Sequence, residues 1–303
     1  MLLPTPHLEE LNKTLNNPKL PLVDKPRVEA AIDKYRMWIQ ALREVSAEAP
    51  DIIEQMVSLL NDYKNYVDVD LIFNSDEDFL YRQKGQLKLD NSIIEEFVPW
   101  LMRPPLLSEM PNGLDVGPSK CFSAIYFTSS MANRENGGGL NIRSKDQDFA
   151  ISRRLRVRTS YGPDFEVFAE DETHIAYLAA EIKTNLDKTM FQEACATARD
   201  VRLAVPGSKY YVLCEWLDMS PLSTSPTDVD EVLILRKARR LNSNIRSQFS
   251  AAKDRRAQRE VFDAHLENNP LRPDVFQRFI DHINALLSEK VPVEDVVLEN
   301  GFF

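Results

Sequence analysis

Glycine is scarce in this 303-residue chain: there are nine, three of them consecutive at Gly137–Gly139. Neither a Walker A loop nor a G-x-G-x-x-G turn is present, so ATP- and dinucleotide-binding classes lack their signature and no nucleotide cofactor is expected. Cysteine is scarcer still. Cys121, Cys195 and Cys214 are too few and too scattered for a disulfide framework or a thiolate zinc site, and they read as small buried side chains. The four histidines (His7, His174, His265 and His282) stand far apart, so no H-E-x-x-H or paired Cys/His motif can be assembled. Apolar runs fall far short of a membrane span. The first 20 residues carry acidic and proline breaks where a signal peptide needs a continuous apolar stretch. The expectation is a cytoplasmic protein with no membrane partner.

What remains is an ordinary globular balance, with 43% hydrophobic and 28% charged residues, enough to bury a full core. The net charge of −10 counts at first against a nucleic-acid partner. Its distribution softens the objection. Arg236, Lys237, Arg239, Arg240, Arg246, Lys253, Arg255, Arg256 and Arg259 crowd into residues 231–260, and Arg153, Arg154, Arg156 and Arg158 form a second strip. Screening limits the reach of remote acids to roughly 8–10 Å, so local basic strips can still meet phosphates.

Periodicity divides the chain. Val28, Ile32, Tyr35, Ile39 and Leu42 share a face at helical spacing after Pro26, and Ile52, Met56, Leu59, Leu60 and Tyr63 repeat the pattern. A third helix is predicted over Asn91–Met102, before Pro104–Pro105. From Asp148 to Arg158 the pattern alternates, with Phe149, Ile151, Leu155 and Val157 on one face and arginines on the other, predicting a half-buried strand. Phe122–Phe127, Phe165–Phe168, Ile175–Lys183, Tyr210–Leu217 and Val232–Leu235 read as further strands. Helices are predicted over Asp187–Leu203, about 244–266 and about 274–288. The fold class is α/β: a mixed sheet with one crossover helix, flanked by helices. The expected division is a mainly helical N-terminal subdomain over 1–115, used for DNA contact or dimerisation, and a sheet-bearing core over 116–303.

One short pattern carries chemistry. On a strand, residues i and i+2 share a face about 6–7 Å apart. Glu-x-Lys can therefore present a metal-binding carboxylate beside an ammonium that reaches the attacking water or the scissile phosphate. Asp62-Tyr63-Lys64 lies in a predicted helix, where i and i+2 do not face each other. Glu181-Ile182-Lys183 instead ends an almost wholly apolar strand, where two charges are costly unless paired or used. A structural ion pair is the competing reading. The second metal carboxylate is open between Asp164 and Asp148. Pro163-Asp164 precedes Glu181 by 17 residues and comes beside it if the hairpin turns near Glu170–Glu172, although Tyr-Gly-Pro-Asp is also an ordinary turn. Asp148, with Asp146 nearby, opens the long alternating strand.

The blocks KDQDFAIS (145–152), EIKTNLDKTMFQEA (181–194), KYYVLCEWLDM (209–219) and DVDEVLILRKARR (228–240) resemble type II restriction endonucleases of the Bpu/BbvCI/DdeI kind, within the PD-(D/E)xK superfamily. Residues 67–97 look like the N-terminal half of that family. The resemblance implies the PD-(D/E)xK fold, with Asp148, Glu181 and Lys183 as catalytic residues and Asp148 and Glu181 as ligands of Mg²⁺. It also implies cleavage of double-stranded DNA at a short site with a CTNAG-like core, by a homodimer or with a related second subunit. A sequence-specific subunit that nicks one strand is the alternative.

Weaker candidates surround this set. Glu95 and Glu96 lie on a helix that can lend a further ligand, although a solvated Glu pair is the favoured reading of either. Gln192 and Glu193 follow the motif on the next helix, within reach of a metal shell. Arg82, Lys84 and Lys88, with Tyr81 and Gln83, offer donors to phosphates or base edges. So do Arg154, Arg156, Arg236, Lys237, Arg239 and Arg240. His174 reads as structural.

Overall fold

The computed structural model describes residues 3–107, 110–289 and 293–301. Its N-terminal third is helical, as the periodicity predicts: α1 (Pro6–Leu15), α2 (Lys25–Glu44) and α3 (Ile52–Asn65), the last running on as a π-helical segment over Tyr66–Phe73. Helix α2 turns Val28, Ala31, Ile32, Tyr35, Trp38, Ile39 and Leu42 inward, the 3.6-residue period made physical. A short α4 (Phe79–Gln83) leads to α5 (Ser92–Phe97), which tightens into a 3₁₀ turn over Val98–Leu101. Pro99, which has no N–H to give, divides what reads in the sequence as one helix.

Five strands follow in spatial order β1-β2-β3-β4-β5: β1 (Asp115–Phe127), β2 (Leu140–Ser160), β3 (Phe168–Leu186), β4 (Lys209–Leu217) and β5 (Glu231–Arg239). The first two pairings are antiparallel and the last two parallel. A parallel return needs a crossover. Helix α6 (Lys188–Ala204) supplies the one from β3 to β4, with the Asp187 carboxylate accepting the Met190 N–H at its start. On one sheet face Phe149, Ile151, Leu178, Ile182, Leu213 and Leu233 join the N-terminal helices and the helix over Pro273–Leu287 in a single buried cluster. On the other, small residues (Ala150, Ala176, Ala179) let α6 approach and pack Phe191, Ala194, Ala198 and Val201. Cys121 and Cys214 are buried on that side, where desolvation pushes their thiols up to about 11 and about 12.

Three expectations change. The strand reading of Phe165–Phe168 holds only for Phe168; Phe165 sits in the β2–β3 turn with φ +57°. The alternation beyond Ser152 does not mark a buried face, since Leu155 is 37% exposed where β2 and β3 run on as a ribbon past both layers. The helix expected over 244–266 is broken into α7 (Ser243–Arg246), a 3₁₀ turn (Ser247–Phe249), α8 (Ala252–Ala257) and α9 (Arg259–Asn268). The break serves a clasp. Arg255, fully buried, donates to the carbonyls of Phe73, Glu77 and Phe249 and pairs with Asp78, tying these pieces to the N-terminal helices. The last helices are α10 (Pro273–Leu287) and α11 (Glu294–Asn300). Among the described residues no helix is long and apolar enough to cross a membrane.

A second buried ionic joint crosses the molecule. Lys64 of α3 contacts Asp68 at 2.6 Å and Glu215 of β4 at 3.1 Å. Arg236 of β5 contacts Glu215 at 3.0 Å and stacks 4.8 Å from the Trp216 ring. The sequence offers Arg236 as a DNA contact, but it is 2% exposed and its charge is consumed inside the fold. Removing one member of such a network leaves the others desolvated and unpaired. Arg236→Ala is expected to lower stability by about 3–5 kcal/mol, seen as a lower urea midpoint.

Candidate active site

The β2–β3 ladder begins in the ribbon and ends at the pair Phe149↔Ala180. One residue further on, β2 leaves β3, and the main-chain N–H of Ile182 is taken by the carboxylate of Asp148 at 2.8 Å. Asp148 is thereby fixed at the fork between the strands. Alternation places Glu181 and Lys183 on the α6 side of β3, with the Lys183 ammonium 2.6 Å from the Glu181 carboxylate. Tyr210, buried on β4, donates to the other Glu181 oxygen at 3.4 Å. The three residues meet where β2 parts from β3 inside the sheet; Asp148 and Lys183 line a cleft of about 330 Å³ together with Lys84, Lys88, Asn91, Asn185 and Arg240, and Glu181 reaches it through its contact with Lys183.

The electrostatics of the fork are unbalanced toward negative charge. Burial lowers the proton affinity of Lys183, but the hydrogen bond and charge of Glu181, then the charges of Asp148 and Glu193, outweigh it and hold the ammonium above its ordinary range. Glu95, on α5 and 4% exposed, is pushed up to about 7 by burial first and by the charge of Asp148 second. Asn91 donates to it at 2.6 Å and Lys88 lies 3.7 Å away, both opposing that rise. Its neighbour Glu96 is also pushed up to about 7 by burial but turns inward, accepting from the His7 N–H and the Tyr35 hydroxyl. Neither is the solvated Glu that the sequence favours. Glu95 is coupled to the cleft, and Glu96 belongs to the helical core.

The other candidates scatter. Asp164 lies in the turn beyond Ser160↔Phe168, not on a strand beside Glu181. The hairpin turns over 161–167 rather than near 170–172, leaving roughly 36 Å of strand at ~3.3 Å per residue between the turn and the fork. Asp146 is exposed opposite Lys120. On α6 Gln192 and Glu193 are both exposed, and the charge of Glu193 reaches Lys183. Arg154 and Arg156 pair with Glu172 across the ribbon. Arg82 pairs with Asp78, Lys237 with Asp274, and Arg239 is exposed on the end of β5. Lys84, Lys88 and Arg240 do line the cleft, Lys84 against Asp90 at 3.2 Å and Arg240 against Asp218 at 3.1 Å. Sequence reasoning passes over Asp90, Asn91, Asn185 and Tyr210, because no spacing rule links separate elements. His174 lies 3.6 Å from Asp115, away from the cleft.

Because the Glu95 carboxyl is raised in the folded chain, the folded state binds the extra proton across about pH 4.5–7. The stability this contributes is full below about pH 4.5 and lost as pH rises through about 7. Glu95→Gln is therefore expected to gain on the native chain by on the order of 2 kcal/mol at pH 8, the gain vanishing under pH 4.5. Urea midpoints across that range, with a chelator present, check it.

Comparison with known proteins gives the geometry its context. No curated protein matches the chain. Its fold is similar to that of the native BbvCI A2B2 tetramer solved at low resolution, at 17% sequence identity and a TM-score of 0.62, over 96% of this chain and 100% of that one. The family model described as Bpu10I restriction endonuclease matches residues 86–303, which takes in the fork, every strand and all of the cleft except Lys84 and Gly85. The chain belongs to the Bpu10I restriction endonuclease family, and is accordingly a type II restriction enzyme, a site-specific deoxyribonuclease.

Proposed function

We propose that the chain hydrolyses phosphodiesters of double-stranded DNA through Asp148, Glu181 and Lys183, with Mg²⁺ as its metal. The observation that carries this is the convergence of two carboxylates and a protonated lysine at a strand fork, under a rim of Lys84, Lys88 and Arg240. The donors are all oxygens, which suits a hard cation. Among the described residues no three acidic, histidine or cysteine side chains form a closed metal cage. Mg²⁺ does not need one, since it binds through one or two carboxylates and keeps several waters. The repulsion from Asp148 that helps raise Glu95 is also what a bound cation would relieve.

Asp148 and Glu181 would hold the ion. When bound, Mg²⁺ lowers the pKa of its water and polarises the phosphoryl oxygen. Lys183, kept protonated by Glu181, is a donor rather than a base. It orients the attacking water and steadies the negative charge that grows on the scissile phosphate. Lys84, Lys88 and Arg240 would position the flanking backbone.

Each chain carries one such set, so cutting both strands calls for a second copy or a related subunit; the similar BbvCI structure is an A2B2 assembly. The target would be a short site with a CTNAG-like core, and the enzyme would act in the cytoplasm. If a partner supplies the second set, this chain alone nicks one strand.

Supercoiled plasmid with Mg²⁺ separates the readings: linear molecules with discrete ends mark double-strand cutting, open circles mark the nicking subunit, and no change in the plasmid sinks both. Lys183→Ala is expected to lose about 10²–10⁴-fold in cleavage while a gel shift shows specific DNA binding retained. Full cleavage by that variant overturns the role given to Lys183. Lys88→Ala is expected to weaken binding at all sequences alike and to reduce the slope of log affinity against log salt by about 0.9. An unchanged slope would show that Lys88 meets no phosphate.

A further inference from the structure

Next to the catalytic cleft lies a separate cavity of about 210 Å³. The two share Lys84, Asp90, Thr184 and Arg240, and Thr184 directly follows Lys183. The cavity sits beyond the carboxyl ends of the parallel strands β3, β4 and β5, where open α/β sheets place their ligands. None of the residues that distinguish it takes part in the chemistry proposed for Asp148, Glu181 and Lys183.

Its walls are aromatic. Tyr81, Phe249, Phe262 and His265 line it, with Trp216 behind His265, stacked on that ring at 4.4 Å and carrying the Arg236 guanidinium 4.8 Å from its own centroid. Its floor is polar and fixed. Lys84 is tied to Asp90 at 3.2 Å and Lys64 to Asp68 at 2.6 Å, setting donors beside acceptors. Arg240 and Arg246 also line it, both anchored on Asp218 at 3.1 and 3.4 Å. Flat apolar walls, a mixed donor–acceptor floor and guanidinium groups together match one nucleotide: a base to stack, a base edge to hydrogen-bond and a phosphate to hold. The cavity is too small for a duplex. A base reaches it from bound DNA only by rotating out of the helix.

We infer that this cavity receives a single nucleobase extruded from the DNA whose backbone lies in the neighbouring cleft. The inference rests on the nuclease reading and adds a base-binding site to it. Bringing a base into the cavity costs its pairing and stacking, so a target already missing its partner base should bind more tightly.

The experiment uses the Lys183→Ala chain and duplex oligonucleotides carrying the site found by sequencing the plasmid ends. At each position in turn, the opposing base is replaced by an abasic residue. At one position, or at the two related by symmetry, affinity should rise about tenfold or more. Two variants should abolish the gain while keeping the thermal transition of a folded chain: Tyr81→Ala, which removes a wall, and Leu241→Trp, which fills the space. If no position shows a gain, or if the gain persists in both variants, the cavity is not a base site. Those results leave the nuclease reading standing when the native chain still cuts plasmid. A native chain that neither cuts nor binds any duplex overturns both.

Discussion

The whole site hangs on one hydrogen bond that is not part of a strand ladder. After Phe149↔Ala180 the main-chain pairing of β2 with β3 ends, and the Asp148 side chain takes the next available donor, the Ile182 N–H. A buried strand in the middle of a sheet tolerates no orphaned donor, so the carboxylate is needed there for the fold. The same bond aims it. It marks the point where β2 parts from β3, and it leaves Asp148 near enough to Glu95 and Lys183 to shift both. The structural demand and the proposed catalytic one thus fall on one side chain, and the ladder cannot slip by a residue without losing the geometry that serves both.

The charge of the chain is handled in an equally local way. A net charge of −10 is no bar to the proposed DNA contacts, because cations at the cleft act on phosphates within a Debye length of them. The basic run in residues 231–260 is mostly not that set. Arg236 and Arg255 are interior clasps, and Arg240 and Arg246 are oriented by Asp218. Two of the cations that do line the cleft, Lys84 and Lys88, come from the helical N-terminal third instead.

What was legible in the sequence follows from this. Amphipathic helices and the Glu181–Lys183 spacing are local properties, and they read correctly because periods of 3.6 and 2 are set by backbone geometry alone. Asp148 could not be chosen by spacing, since the choice depends on where a hairpin turns, and Gly162 and Pro163 allow the turn earlier than Glu170. Glu95 and Glu96 looked alike because they are adjacent. On a helix adjacent residues point about 100° apart, and only packing tells which of them meets His7 and which meets Asp148. The short helices over 243–268 were illegible because a long-range anchor, Arg255, sets their breaks.

The buried joint of Lys64, Asp68, Glu215 and Arg236 also sets an order of events as the chain is made. Synthesis proceeds from the N-terminus, so Lys64 and Asp68 emerge long before β4 and β5. Until Glu215 and Arg236 arrive, Lys64 and Asp68 have only each other, and the four-charge joint that ties the N-terminal helices to β4 and β5 is unmade. The cleft, which takes Lys84 and Lys88 from one part and Asp148 and Lys183 from the other, is complete only once the chain has passed β5 to Arg240. A chain halted at β4 lacks part of that cleft.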